Sequence, residues 1–104
     1  MTRELIVTDS ADQDIDRYIE YLAARNPDAA RRFLRDLRQA LDRLLSVPQI
    51  GHVWETKRRD LEGLRAWRID DFPVSIFYFP RPTAIEVVRV LHHSQDIKSV
   101  LDDL

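Results

Sequence analysis

The spacing of apolar residues in the first quarter of the chain predicts a short strand followed by a helix. Residues 4–8 form a brief apolar run typical of a strand. From Ala11 to Leu22 the apolar residues recur at steps of three and four, which predicts a helix with one apolar stripe. Ser10 and Gln13 fit the capping box that we expect to begin this helix. The acids within it, Asp14 included, are interpreted as solvated helix-starting residues.

A second helix is predicted directly after the first. Asn26 is the expected N-cap and Pro27 the first helical residue, because this pair ends one helix and opens another. An apolar stripe then runs from Ala30 to Leu45. The opposite side carries several arginines interleaved with acids, such as Arg32 and Asp36 at i,i+4, and is interpreted as a solvated face. The short connection makes the two helices an antiparallel hairpin.

Residues 64–93 change to the alternation that is typical of strands. Three runs rich in Val, Ile and aromatic residues are separated by turn residues at 70–71 and 80–83, which predicts consecutive antiparallel strands. In the run 74–79 both alternating faces are apolar, so this strand is predicted to be central and covered on both sides. The hairpin supplies one cover, and the C-terminal tail or a partner protein supplies the other. A short edge strand is predicted at 52–54.

The end of the chain combines a strand and a short helix. Alternation along 84–93 places Arg89 and His93 on one face. Ser94 or Asp96 is the expected cap of a final helix whose apolar residues lie at i, i+3, i+4 and i+7 from Ile97. Two turns are too short to be stable alone, so this helix must dock on its own sheet or on another chain.

Together these elements predict a single α+β domain over residues 1–104. An N-terminal strand precedes an antiparallel helical hairpin, which packs on a small antiparallel β-sheet with a short C-terminal helix. The chain has no cysteine and no apolar run of membrane-spanning length, so we expect a cytoplasmic protein without disulfides or membrane contact. Its 16 basic residues are outnumbered by 18 acidic ones, which disfavours nucleic acid as the main partner. The loop at Lys57–Arg59 is the most basic unpaired run and is interpreted as a solubilising loop or a binding site.

The histidines and arginines near the end of the sheet are the candidates for chemistry. No nucleophilic triad, phosphate loop, dinucleotide fingerprint or metalloprotease motif is present. His92 and His93 are neighbours on a strand and point to opposite faces, so we expect no metal site and no cofactor. One of them, beside Arg89 and Arg65 or Arg68, could serve acid–base cleavage of RNA by 2′-hydroxyl attack. Alternatively, one histidine is a hydrogen-bonded strand-end residue and the other is solvated.

Three segments of the chain carry a resemblance to a known family. They are the segments 63–69 (GLRAWRI), 74–79 (VSIFYF) and 89–96 (RVLHHSQD). With the order of the elements, they resemble the RelE/ParE superfamily of type II toxins, and within it the ParE, or plasmid-stabilisation, branch, over essentially the whole chain. The resemblance implies a toxin that is neutralised by a co-expressed antitoxin. ParE-like toxins poison DNA gyrase, whereas RelE-like toxins cut mRNA on the ribosome.

The departures of this chain from the RelE pattern favour the ParE branch. RelE-type cleavage relies on a Lys and Arg cluster with a Tyr or His near the C-terminus. Here the tail is acidic at 102–103, and Lys98 is the one basic residue after Arg89 apart from histidine. We therefore expect a non-enzymatic toxin with no catalytic residues, which inhibits gyrase by binding. The alternatives are a ribosome-dependent endoribonuclease and a degenerate toxin that is retained as an antitoxin-binding module.

The resemblance also implies which residues meet each partner. We expect a hetero-oligomer with a cognate antitoxin and no sequence-specific nucleic-acid binding by the toxin alone. The residues expected to contact the target are Arg65, Arg68, Arg89, His92 and Asp96. If the chain is a nuclease, the catalytic candidates are Arg68, Arg89, His92 and His93. The residues expected to contact the antitoxin, by groove and strand-addition modes, are Ile15, Tyr18, Ile19, Leu22, Phe33, Leu37 and Trp54.

Overall fold

The order of helices and strands confirms the predicted fold class. The structure, a computed structural model, describes residues 3–104. The elements are β1 (Glu4–Val7), α1 (Asp9–Arg25), α2 (Pro27–Ser46), β2 (His52–Val53), β3 (Arg65–Arg68), β4 (Val74–Pro80), β5 (Ala84–His92) and α3 (Ile97–Asp102), with a 3₁₀ turn at Arg59–Leu61. Among these residues, no helix is both long and apolar enough to cross a membrane.

The five strands form one sheet in the order β1-β5-β4-β3-β2. Strands β2 to β5 pair in antiparallel fashion, as predicted. The N-terminal strand adds a parallel edge, because Glu4 to Val7 run alongside Ala84 to Val87 in the same direction. A parallel pair needs a long connection, and here nearly the whole chain separates the two strands.

The beginning of α1 differs from the prediction. Thr8 is the N-cap, so the helix begins at Asp9 and Ser10 already lies inside it. The Thr8 hydroxyl accepts from the Ala11 amide at 3.2 Å and donates to the Val88 carbonyl at 3.1 Å. Because β1 pairs with β5, Thr8 is held next to Val88 and its hydroxyl can make both bonds. At the next helix the predicted cap is confirmed, since the Asn26 side chain accepts from the amides of Asp28 and Ala29.

Both faces of the central strand are buried, as the sequence predicts. Val74, Ile76 and Tyr78 point toward α1 and α2 and belong to the larger core; we call this side of the sheet the helix face. Phe77 and Phe79 point the other way, to what we call the tail face. The residues that cover the tail face include Leu61, Leu64 and Leu101, so the chain's own loop and α3 provide the second cover.

A bulge in β5 lies directly before Arg89. Tyr78 is paired with Val87 and Phe77 with Arg89, which leaves Val88 as an extra residue on β5. A bulge interrupts the strict alternation of a strand and re-aims the side chains that follow it. Arg89 and His93 both follow the bulge, so the alternation between them is uninterrupted. Their side chains nevertheless have different partners: Arg89 bonds to Asp14 of α1, whereas His93 bonds to Ser75 of β4.

Candidate functional site

Arg89 is held by a buried carboxylate. Its Nε and Nη2 donate to the two oxygens of Asp14 at 2.7 and 2.8 Å, and the Val90 amide donates to the same carboxylate at 3.0 Å. This bidentate bond raises the pKa of Arg89. Within residues 3–104, β1 pairs with this edge of β5 only as far as Val87, and beyond that point the Asp14 carboxylate accepts the hydrogen bond of the Val90 amide. Asp14 is thus a structural residue and not the solvated acid that we expected. Its position in the apolar stripe of α1 was the available signal.

His92 and Asp96 organise the turn between β5 and α3. The His92 Nδ1 accepts from the Ser94 amide at 3.0 Å, and the ring lies 5.7 Å from the ring of Tyr18, centroid to centroid. Asp96 is the N-cap of α3, as one of the two predicted alternatives had it. Hydrogen bonds from the hydroxyl and amide of Ser99 lower the pKa of the Asp96 carboxyl. Both side chains therefore have partners within the chain.

Arg65 fixes the segment that leads into β2. Its Nη1 donates to the carbonyls of Gln49 and Gly51 at 3.1 and 2.7 Å. The hydroxyl of Tyr78 holds the same segment, since it donates to the Pro48 carbonyl and accepts from the Gly51 amide. A Cβ at Gly51 would lie 2.6 Å from that hydroxyl, so only glycine allows this close approach. Burial raises the pKa of Tyr78.

The tail face is open beside α3, where it forms a groove that we call the His93 groove. The groove has a volume of about 490 Å³. Trp54, Phe77 and Ile97 line its apolar part, and Arg68, Ser75 and His93 line its polar part. The Ser75 hydroxyl and the His93 Nε2 are 2.7 Å apart. Burial, the charge of Arg68 and the neighbouring His92 lower the pKa of His93, so the imidazole is neutral near pH 7.

The structure brings together two of the four nuclease candidates. Arg68 and His93 lie in the His93 groove, whereas Arg89 is bound to Asp14 and the His92 ring contacts Tyr18. Ser75 was not among the predicted residues, although it is the one polar residue in the run 74–79. Target contact by Arg65, Arg68, Arg89, His92 and Asp96 stays a prediction, and within residues 3–104 only Arg68 of these makes neither a hydrogen bond nor an ion pair through its side chain. No group of three potential metal ligands is found in this range.

Two of the predicted antitoxin contacts are corrected by the structure. Phe33 and Leu37 are only 0% and 4% exposed, because they pack between α2 and the sheet and offer no surface to a partner. The others are half-buried: Ile15, Tyr18, Ile19 and Leu22 on α1, and Trp54 over Phe77. Antitoxin contact by these five residues stays a prediction.

Arg58, predicted to be part of an unpaired basic run, is fully engaged. Its guanidinium donates to the carbonyls of Leu101 and Leu104 at 3.2 and 3.1 Å, and also to that of Asp102. It pairs with Asp60 as well, which raises the pKa of Arg58. Arg58 thereby fastens the end of α3 to the loop before β3, a long-range contact for which local sequence gives no signal.

Comparison with known proteins assigns the family. Residues 5–97 match the model of a family described as the ParE toxin of the type II toxin–antitoxin system parDE. The chain belongs to the ParE toxin family. The match spans β1 to the beginning of α3 and so includes Arg68, Ser75, His92 and His93. A search of curated protein sequences finds no match.

Solved structures share the ParE fold. A chain of the chromosomal ParDE toxin–antitoxin system from P. aeruginosa superposes with a TM-score of 0.70 at 18% identity, covering 88% of this chain and 96% of that one. A chain of the E. coli DinJ-YafQ toxin–antitoxin complex gives 0.60 at 12% identity, covering 90% and 96%. The conserved hypothetical protein HP0894 from Helicobacter pylori gives 0.57 at 21% identity, covering 91% and 98%. At these identities the similarity establishes the fold alone.

Proposed function

We propose that this ParE-family toxin inhibits DNA gyrase by binding it, and that a cognate antitoxin neutralises the toxin. Family membership supports the toxin role, and the P. aeruginosa relative comes from a ParDE toxin–antitoxin system. The observation that favours a binding function over a catalytic one is that the candidate catalytic residues do not lie together. Arg89 and His92 already have intramolecular partners, which leaves Arg68 and His93 together in the His93 groove.

General acid–base cleavage of RNA needs more cationic groups for the phosphate than the lining of this groove supplies. A base, an acid and cations for the phosphate must converge on one scissile bond. The groove offers the imidazoles of His52 and His93 but a single guanidinium, that of Arg68, beside an apolar wall of Trp54 and Phe77. An apolar wall with a few polar groups at one end suits the docking of a protein side chain. Arg68, exposed and without an ion pair to another described residue, is the side chain that we expect to anchor the target.

The hydrogen bond between Ser75 and His93 favours a second candidate function, an mRNA endoribonuclease. In that case His93 would act as the base and Arg68 would contact the phosphate. The lowered pKa of His93 is consistent with a base that is neutral before the reaction. His52, which lines the same groove, is the candidate for the acid in this alternative.

For the antitoxin, we propose docking along the solvent-exposed margin of the apolar stripe of α1, whose residues also pack on the core. Ile15, Tyr18, Ile19 and Leu22 lie along this helix and are half-buried, so a partner helix or extended segment could cover the rest of their surface. Tyr21 stacks on Tyr18 and is one of the most exposed large apolar side chains of the described chain.

Two assays run side by side test the mechanism. Purified gyrase is assayed for supercoiling and for cleavage complexes with the toxin, and translating ribosomes are assayed for mRNA cuts. We expect inhibited gyrase and intact mRNA. Arg68→Ala should weaken inhibition by about tenfold, whereas Arg32→Ala, which removes an exposed arginine from α2, should not.

Codon-phased mRNA cuts that disappear in His93→Gln would overturn the proposal in favour of the nuclease. Activity in neither assay, with a stable complex with the antitoxin, would leave only the antitoxin-binding role. For the antitoxin surface, Leu22→Arg should prevent co-purification with the antitoxin while leaving gyrase inhibition intact.

A further inference from the structure

The chain contains two buried aspartates that are satisfied to very different degrees. Asp14, 8% exposed, accepts three N–H groups at 2.7 to 3.0 Å. Asp36, 6% exposed, accepts one N–H group within residues 3–104, from the Nε of the exposed Arg35 at 3.3 Å. We expected Asp36 on a solvated helix face, and the structure corrects this. A buried carboxylate is stable only when donors surround it, so Asp36 has acceptor capacity that the described chain leaves unused.

Asp36 faces a cavity of about 330 Å³ between α2 and the end of β3. The residues that line it with polar or aromatic side chains are Asp36, Gln39 and Arg43 on α2, Trp67 and Arg68 on β3, and Asp70 in the turn after β3. Positions i, i+3 and i+7 share one side of a helix, which is why the three α2 residues point to the same cavity. The volume is at the lower end of the range for small-molecule sites.

The charges in this cavity do not neutralise one another. Arg43 and Arg68 form no ion pair with any other residue of the described chain, although Asp36 lines the same space. A ligand that carries adjacent donors at one end and an anion at the other would satisfy both ends at once. A flat ring between them would stack on the half-buried Trp67.

We propose that this cavity binds a guanine nucleotide. Guanine alone among the common bases presents two adjacent donors on its Watson–Crick edge, N1–H and the 2-amino group, which match the two oxygens of a carboxylate. Adenine, cytosine and uracil would each place an acceptor against Asp36. Arg43 and Arg68 receive the phosphate, and Gln39 and Asp70 suit the base carbonyl and the sugar hydroxyls. The nucleotide is either free or part of a single-stranded RNA. The cavity shares Trp67 and Arg68 with the His93 groove, whereas Asp36 and Arg43 line the cavity and not the groove, so variants of these two residues test nucleotide binding apart from gyrase binding.

Titration of the full chain with guanosine and adenosine monophosphate is the first test, by calorimetry and by Trp67 fluorescence. We expect the guanine nucleotide to bind at least about tenfold more tightly than the adenine nucleotide, because the latter leaves Asp36 facing an acceptor. Equal affinities, or no binding of either at millimolar concentration, would overturn the proposal. Trp67→Phe, with Trp54 retained, removes the fluorescence response but keeps a stacking ring.

A change of base preference separates recognition from a merely structural role of Asp36. Asparagine can donate to the 2-oxo group of xanthine, whereas aspartate cannot. Asp36→Asn should therefore lower the affinity for guanosine monophosphate at least about tenfold and raise the affinity for xanthosine monophosphate. If Asp36 only supports the fold, the variant shifts the melting temperature and leaves both affinities unchanged, which would refute the assignment. Asp28→Asn, an exposed acid on the same helix, is the control.

The phosphate end and the source of the ligand need one comparison each. Arg43→Ala should lower the affinity for both monophosphates by the same factor and leave the affinity for guanosine, which has no phosphate, unchanged. Arg38→Ala, at an exposed arginine of α2, should change none of these affinities. A hexaribonucleotide with one guanosine is then compared with one that has none. Tighter binding than the monophosphate assigns the site to RNA, and equal or weaker binding assigns it to the free nucleotide. If Arg43→Ala and Arg38→Ala lower the affinity for the monophosphates equally, the phosphate is not bound at a defined site.

Discussion

The two faces of the sheet are covered in contrasting ways. The helix face lies under two helices of 17 and 20 residues, and its buried carboxylate Asp14 is fully hydrogen-bonded. The tail face lies under the six-residue α3 and a loop, fastened by Leu101 and Arg58. Openings of about 490 and 310 Å³ remain on the tail face, both next to residues of the C-terminal segment.

The difference indicates a division of labour between stability and chemistry. On the helix face, large side chains such as Phe33 and Leu44 are fully buried, and the incompletely hydrogen-bonded carboxylate of Asp36 lies at the margin, where α2 borders a cavity. The tail face instead displays Ser75, His93 and Arg68 at an accessible groove. Functional groups are commonly displayed where a rigid scaffold leaves part of its surface open. Substitutions in the buried core of the helix face should therefore act on stability, and those at the His93 groove on local opening and binding.

The largest effect is expected for Asp14→Ala on the helix face. It should lower the free energy of unfolding by about 3 kcal/mol, because Arg89 keeps a half-buried charge without its partner and the Val90 amide loses its acceptor. Urea denaturation measures the loss. Asp16→Ala, an exposed acid of α1, should stay within about 0.5 kcal/mol of the wild type. If both variants lose the same free energy of unfolding, the hydrogen bonds of Asp14 do not stabilise the helix face.

Leu101→Ala should give the next largest effect and act on the tail face alone. The free energy of unfolding should fall by about 2 kcal/mol, which is at the lower end for truncation of a buried leucine. The loss is this small because α3 can detach, so that solvent reaches the position of the missing side chain. Hydrogen exchange should show fast α3 amides while α1 and α2 stay protected. Leu104→Ala, which alters a side chain that is 41% exposed, is the matched control. Equal loss of protection on both faces would show that they unfold as one unit.

Thr8→Ala should cost about 1 kcal/mol, because the hydroxyl caps α1 and also bonds to β5. Ser10→Ala, at the residue first expected to be the cap, should change the free energy of unfolding by less than about 0.5 kcal/mol. Thermal unfolding of the two variants under identical conditions measures the difference. The reverse order would restore Ser10 as the cap.

The smallest effect is a dependence of stability on pH that originates on the tail face. Folding lowers the pKa of His93 below its ordinary value of 6.5. As the pH falls through that value, the folded protein therefore binds fewer protons than the unfolded protein. The contribution of His93 to stability is therefore present above this pH and is lost below it. His93→Gln should flatten the decline between about pH 7 and pH 5. An unchanged slope in His93→Gln would contradict the assignment.

The sequence predicts the elements and the two-sided burial of β4 because both follow from local periodicity. The details that it misses depend on which distant residues pack together. The bulge at Val88 depends on the pairing of β5 with β4, and the burial of Asp14 and Asp36 depends on the surroundings of each helix. At the site, Arg68 and His93 could be selected by residue type. Ser75 becomes relevant only once the neighbouring strands place it 2.7 Å from the His93 ring nitrogen.

The parallel pairing of β1 with β5 has a consequence for the order of folding. Thr8 and Val88, joined by a hydrogen bond, are 80 positions apart in the chain, so the first strand has no partner until nearly all of the later strands exist. Contacts of this separation form late, because closing the intervening loop costs entropy before any pairing compensates for it. The helical hairpin can form early from local contacts. During synthesis the apolar stripe of α1 is therefore covered by α2 alone until β5 arrives, and a co-produced partner that binds α1 has its earliest access in that interval.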